Sequence, residues 1–181
     1  MSLFACISDG VKRGKKMNIT DAIAVLDKQV PNPSAGLPDD LFFFISRMTP
    51  LINVDLLIKN EDNYTLLTWR DDALLAPGWH IPGGIIRYKE TIPSRIKAVA
   101  AGELGAVVEF KANPLTVNEV IHKAAQNRGH FISFLYECRL ISQLDEKRRY
   151  LKGLPKPGEW AWHSKCPKNL ISAHKMYRDF L

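Results

Sequence analysis

Apolar and polar positions along the chain change period several times, and each change marks an element. From Thr20, the residues Ala22-Ile23, Val25-Leu26 and Val30 form a stripe at helical spacing that stops before Pro31-Asn32-Pro33. This predicts a short first helix with Thr20 as its N-cap. After the Pro- and Gly-rich PNPSAGLP, Asp39 and Asp40 favour a second helix start, and DDLFFFISRM supplies its body. The aromatics of this helix suit packing against a core or a partner subunit. Pro50 leads into LINVDLLIKN, a turn at Glu61-Asp62-Asn63 and then YTLLTWR, which read as two strands paired in a hairpin. DDALLAPGWHIPGG reads as loop and GIIRY as a short strand. VVEF, LTVNEVIHKA and HFISFLYECRL give three more strands, the last two joined across QNRG. WAWH is a final brief strand, and Lys168 to Leu181 a closing helix. Strands mixed with two or three helices predict an α/β sandwich around a mixed sheet. The expected organisation is an irregular leader at 1–16, a helical segment at 17–48 and the main domain at 49–181.

Length and composition narrow the picture. With 181 residues, 46% hydrophobic and 24% charged, the chain can bury one real core with an appendage. No apolar run reaches the roughly 18 residues of a membrane span, so no membrane partner is expected. The basic residues Lys12, Arg13, Lys15 and Lys16 follow the apolar Leu3–Ile7 run rather than precede it, unlike a secretory signal. The expected location is cytoplasmic. Three scattered cysteines, Cys6, Cys138 and Cys166, lack metal-ligand spacing and suit a reducing compartment. Of the net charge of +6, the first 16 residues carry +3, four Lys/Arg against Asp9. The remainder is mildly basic, and its one basic run, Lys147-Arg148-Arg149-Tyr150-Leu151-Lys152, reads as a solvated face, so a small anionic ligand is expected rather than nucleic acid.

Gly78 to Val107, GWHIPGGIIRYKETIPSRIKAVAAGELGAV, carries the chemistry. A glycine pair, a short apolar run, a lone Glu, Pro near a helix start, an apolar-periodic helix and a final Gly describe a loop-helix-loop built to hold an ion. Thr91 can cap the helix, Pro93 suits its first turn, Gly105 suits a left-handed end, and Ile96, Val99, Ala100 and Leu104 share one face. From Gly84 there are five residues to Glu90 and seven more to Ala98, followed by Val99-Ala100-Ala101-Gly102-Glu103-Leu104-Gly105-Ala106. This spacing resembles the Nudix box, Gly, five residues, Glu, seven residues, Arg-Glu-U-x-Glu-Glu-x-Gly-U, with U apolar. Gly84, Glu90, Ala100, Glu103, Gly105 and Ala106 match. The box Arg is Ala98, the Glu after it is Val99, and the first of the Glu pair is Gly102.

The resemblance implies a Nudix-type α/β/α sandwich around a mixed β-sheet and a Mg²⁺- or Mn²⁺-dependent hydrolase. It also implies metal ligands at Glu103, with Glu90 and the carbonyl of Gly83 or Gly84 in support. The GDP-mannose mannosyl hydrolase branch has a similarly reduced box, and the likeness to it runs from about Thr49 to Gly105. In that branch water attacks the sugar carbon while one metal assists departure of the nucleoside diphosphate. Its substrate-binding Asp and Arg fall on Asp55 and Arg70. Its Arg after the second glycine is Ile85 here, and Arg87, two residues on, is expected to substitute for it. Its His base and metal-binding Gln have no counterpart in LPKPGEWAWH, where Glu159 and His163 are the candidate bases. His80, His122, His130 and His174 show no ligand spacing and are expected to pack or lie on the surface. Trp79 and Trp160 are expected in the core.

The expected activity is therefore hydrolysis of a nucleoside diphosphate linked to another group, a nucleotide sugar above all. Cleavage within the diphosphate is one alternative, and a nucleotide-binding regulator without turnover is another. The aromatic second helix makes a homodimer an expectation.

Overall fold

A computed structural model of the protein describes residues 18–72 and 75–181. The expected leader and Cys6 lie outside these residues. The chain divides between Asn32 and Pro33 into two compact units. The first contains α1, Ile19–Gln29, whose N-cap is Asn18 and not Thr20. Asn18 Oδ1 accepts from Asp21 N–H at 2.8 Å and Asp21 answers onto the Asn18 N–H, a reciprocal cap that Thr20 cannot make from inside the helix.

The second unit holds α2, Asp39–Ile45, eight strands, the helix α3, Ile92–Val99, and a C-terminal 3₁₀ helix, Ser172–Phe180. The strands are β1 Leu51–Ile58, β2 Thr65–Asp72, β3 Leu75–His80, β4 Gly83–Ile85, β5 Val108–Phe110, β6 Thr116–Ile121, β7 His130–Leu140 and β8 Trp160–His163. They form two sheets. One is mixed, in the order β4-β1-β7-β5 with β6 also on β7, and its β1–β7 pair is parallel. The other is antiparallel, in the order β3-β2-β8. The α/β class with a mixed sheet is thus as expected.

Three expectations change. β1 and β2 are not a hairpin: a single bridge, Lys59 to Thr65, holds their connection, after which the strands enter different sheets. The segment read as loop before the glycine pair is β3. It lies at a sheet edge, where Pro77 loses no ladder bond that a neighbour would need. The closing helix is 3₁₀, not α, and three residues per turn place His174 and Tyr177 together on its buried side.

β1 is central, flanked by β4 and β7, so its second half is buried on both faces and reads as a continuous apolar run interrupted by Asp55. Val54, Leu56 and Ile58 pack with Ile96, Val99, Ala100 and Leu104 of the box helix in one core cluster. Leu57 joins a second cluster with Leu67, Trp69, Trp79, Leu135 and Tyr177. These two clusters fix β1 between the box helix and the C-terminal segment, which brings the chemistry of both to one place.

Candidate functional site

The box helix ends in an unusual way. α3 is capped by the Thr91 hydroxyl, which accepts from Ser94 N–H at 3.2 Å, and continues after Val99 as a π turn over Ala100–Leu104. Gly105 then stops it at φ 62°, and Ala106 N–H returns to the Ala100 carbonyl at 3.2 Å. Widened π turns recur at functional sites, and this one carries Glu103. Arg148, from a distant loop, locks it: Nη1 donates to the Gly102 carbonyl at 2.7 Å and the Glu103 carbonyl at 3.2 Å, while Nε lies 3.2 Å from Asp145 Oδ2.

Glu103 reaches a cleft of about 800 Å³, a size ordinary for a small-molecule site. Its Oε1 accepts from Gly83 N–H at 3.2 Å and its Oε2 from the Thr68 hydroxyl at 3.1 Å. His80 Nε2 lies 3.5 Å from the same Oε2. A carbonyl can only accept, so the 2.8 Å contact between His80 Nδ1 and the Thr68 carbonyl puts a proton on Nδ1. β4 supplies the facing edge. In the antiparallel β1–β4 pair, Asp55 and Gly83 are partners, and a side chain at Gly83 would meet Asp55 Oδ1 at 2.1 Å. Only glycine lets these strands close on the site.

Asp55 is 1% exposed, and Tyr177 Oη donates to its Oδ2 at 2.7 Å and Asn53 Nδ2 to its Oδ1 at 2.6 Å. Burial pushes its carboxyl up to about 7, although the Tyr177 and Asn53 hydrogen bonds pull the other way. His174 is buried beside it, with Nδ1 accepting from Ile81 N–H at 3.0 Å and Nε2 3.8 Å from Asp55 Oδ1. Burial holds His174 well below its usual value, helped by the charges of His80 and Arg70. Near neutral pH the Asp55–His174 contact therefore joins two groups that resist charge rather than an ion pair.

The two shifts act on stability in opposite senses. The folded state binds the Asp55 proton more tightly than the unfolded chain, so that contribution is full below the ordinary 3.8 and is lost as pH rises through about 7. Neutral His174 contributes above the ordinary 6.5 and loses that contribution as pH falls. Below pH 6.5 the slopes oppose, each by up to about 1.4 kcal/mol per pH unit, and the wild-type profile is expected to be flatter there than either group alone would make it. In Asp55→Asn only the histidine slope remains. Urea denaturation at several pH values should then show stability rising from pH 5 to 6.5, and an unchanged profile would refute the Asp55 assignment.

Of the residues singled out in the sequence, Asp55, Arg70, Gly83 and Glu103 line this cleft. Glu90 lies outside it. Burial pushes the Glu90 carboxyl up, but hydrogen bonds from Arg87 N–H at 2.9 Å and Arg95 Nε at 2.8 Å, with Arg95 Nη2 at 2.6 Å, outweigh that and hold it below its usual range. It ties the loop to α3. Arg87 is exposed beside Gly36, because β4 ends at Ile85 and strand alternation does not extend to it. The Glu159 carboxylate closes its own turn onto Lys156 N–H at 2.9 Å. His163 stands on β8 in a different cavity.

Three of the histidines expected to pack or lie on the surface, His80, His122 and His174, line the cleft instead, as do Thr68, Ser133 and Arg148. Their sequence separations carry no recognisable spacing. Arg70, Arg128 and Arg148 line the cleft together with Asp55, Asp71 and Glu103.

No protein-family model matches the chain. The low-salt glycan biosynthesis protein Agl8 of Haloferax volcanii is 28% identical over 138 residues, spanning 72% of this chain and 87% of its own. A MutT Nudix hydrolase from Burkholderia pseudomallei has a similar structure, with TM-score 0.56 and 21% identity over 74% of this chain and 98% of that one. The MutT protein of Methanosarcina mazei Go1 follows at TM-score 0.54 and 19% identity, covering 73% and 91%. A UDP-X diphosphatase covers 88% of this chain and 75% of its own at TM-score 0.53 and 14% identity. At these identities the likeness establishes the Nudix fold.

Proposed function

We propose that this chain, which has the Nudix fold, is a hydrolase of a nucleoside diphosphate linked to a sugar, with attack at the sugar carbon. The observation that carries the reading is the state of the box. Glu103 is its single carboxylate on the cleft, and Val99, where the family places another, is 5% exposed and packed into the core against Gly84. A site with one such ligand suits chemistry in which a single ion helps a diphosphate leave.

The residues present fit one hard cation and no more. Among the described residues no group of three or more His, Cys, Asp or Glu could hold a metal. Mg²⁺ commonly takes one or two carboxylates and completes its shell with water and substrate phosphate. Glu103 would supply that carboxylate. The Gly83 carbonyl lies on the same strand edge as the N–H that meets Glu103, because both groups of a strand residue point to one side. An ion bound there would neutralise charge on the departing diphosphate. Arg70 would pair with the same oxygens, and Arg148 holds the turn that presents Glu103. Asp55, protonated near neutral pH, would donate a hydrogen bond to a substrate oxygen.

The test is incubation with GDP- and ADP-linked sugars and Mg²⁺ in isotopically labelled water. Label is expected on the released sugar. Label on phosphate would overturn carbon attack in favour of diphosphate cleavage, and nucleotide binding without turnover would replace the hydrolase with a regulator.

A further inference from the structure

A second cavity, of about 530 Å³, opens beside the three-stranded sheet and shares no lining residue with the cleft. It is built from β3, β8 and the loop that precedes β8. Trp79 forms part of its wall, with the Tyr150 ring 5.6 Å away and the His163 ring 4.6 Å away, both edge-on. Trp162, half-buried, lines the cavity from the other face of β8, where it packs with Trp160 and Leu66, whereas Tyr150 and Ala161 pack with Trp79. His163 Nε2 is buried and has no hydrogen-bond partner, which a native structure tolerates where a ligand or water completes it. Arg149 is exposed at the rim, its guanidinium 5.8 Å from the Trp160 ring centroid and its Nη1 3.5 Å from Glu146 Oε2. Lys147, Lys152 and Lys156 of the same loop add positive charge in sequence.

Aromatic walls, an unsatisfied ring nitrogen and a basic rim are the parts that recognise a planar ring joined to an anion. We propose that this cavity is a second ligand site for a nucleotide, its base against Trp162 and its phosphate on Arg149, which lies over Trp160 on the same face of β8. Neither the cleft chemistry nor the box requires these residues. Stacking of one base on an aromatic side chain strengthens binding about tenfold or more, which makes Trp162 the residue to test.

GDP binding to the full chain is measured by calorimetry without metal, with tryptophan emission as a second readout and inorganic phosphate as the probe for the anion alone. The expected result is a GDP site that survives Arg70→Ala in the cleft, is lost in Arg149→Glu, weakens about tenfold or more in Trp162→Ala and is retained in Trp162→Phe. Inorganic phosphate is expected to bind it at least about tenfold more weakly than GDP. Loss of all GDP binding in Arg70→Ala, or binding unaltered by Arg149→Glu, would overturn the second site. Arg149 is exposed, so its replacement tests the site even where Trp162→Ala fails to fold. This site is read without metal, whereas the cleft reading is decided by the labelled-water turnover with Mg²⁺, so the two fail separately.

Discussion

Glu103→Gln is expected to lower turnover of the nucleotide sugar at least a hundredfold, about 3 kcal/mol of transition-state stabilisation, while leaving the fold intact. Gln keeps an oxygen for Gly83 N–H or the Thr68 hydroxyl, which now meet Glu103 at 3.2 and 3.1 Å. What it removes is charge: the anionic ligand that a hard cation needs, and the partner that lies 3.5 Å from His80 Nε2. Loss of activity should therefore come with weaker Mg²⁺ binding in calorimetry and little change in thermal midpoint. Wild-type rates in this variant would refute the metal assignment. A large fall in midpoint would instead mark Glu103 as a structural acceptor for β2 and β4.

Most of the architecture was legible because it is encoded locally. The Thr91 cap, the left-handed Gly105 and the shared face of Ile96, Val99, Ala100 and Leu104 need nothing beyond residues within about four turns of helix. Asp55 stood out because a carboxylate inside a buried apolar run requires partners, and it has Tyr177 and Asn53. What sequence could not show was which surfaces meet. The turn after β1 looks like a hairpin turn, yet the pairing goes elsewhere: β1 takes β7 and β4, and β2 takes β8 and β3, the strand that follows it directly. β3 was hidden by Pro77 and Gly78, residues that break a central strand and pass at an edge. Thr68, His80 and Glu103 converge from β2, β3 and the π turn, and His174 meets Asp55 from the far end of the chain. No motif spacing describes such convergence. Arg87 and Glu90 stand apart from the cleft for a related reason: the sequence put them near the glycine pair, but β4 ends at Ile85 and Glu90 pairs with Arg95.

The reduced box can be interrogated at two of its altered positions, and they are expected to respond in opposite ways. Val99→Glu should destabilise the protein by about 3 kcal/mol or more, because it places a carboxylate among Val54, Ile96 and Leu104 with no cation beside it. Gly84 leaves no slack there, since even a methyl on that glycine would meet Val99 Cγ2 at 2.8 Å. Gly102→Glu should fold as well as the wild type. Apart from its chain neighbours and its own helix backbone, nothing lies within 4 Å of a Cβ added at Gly102, the position is helical, and replacing glycine there gains about 0.5 kcal/mol of helix propensity. The added carboxylate stands next in sequence to Glu103 on the cleft wall. Its repulsion should cancel part of that gain without metal and turn into tighter Mg²⁺ binding when the ion is added. Urea denaturation with and without Mg²⁺ separates these effects. A Val99→Glu protein as stable as the wild type would mean that the position opens to the cleft, and the argument for a one-ion site from its burial would fall with it.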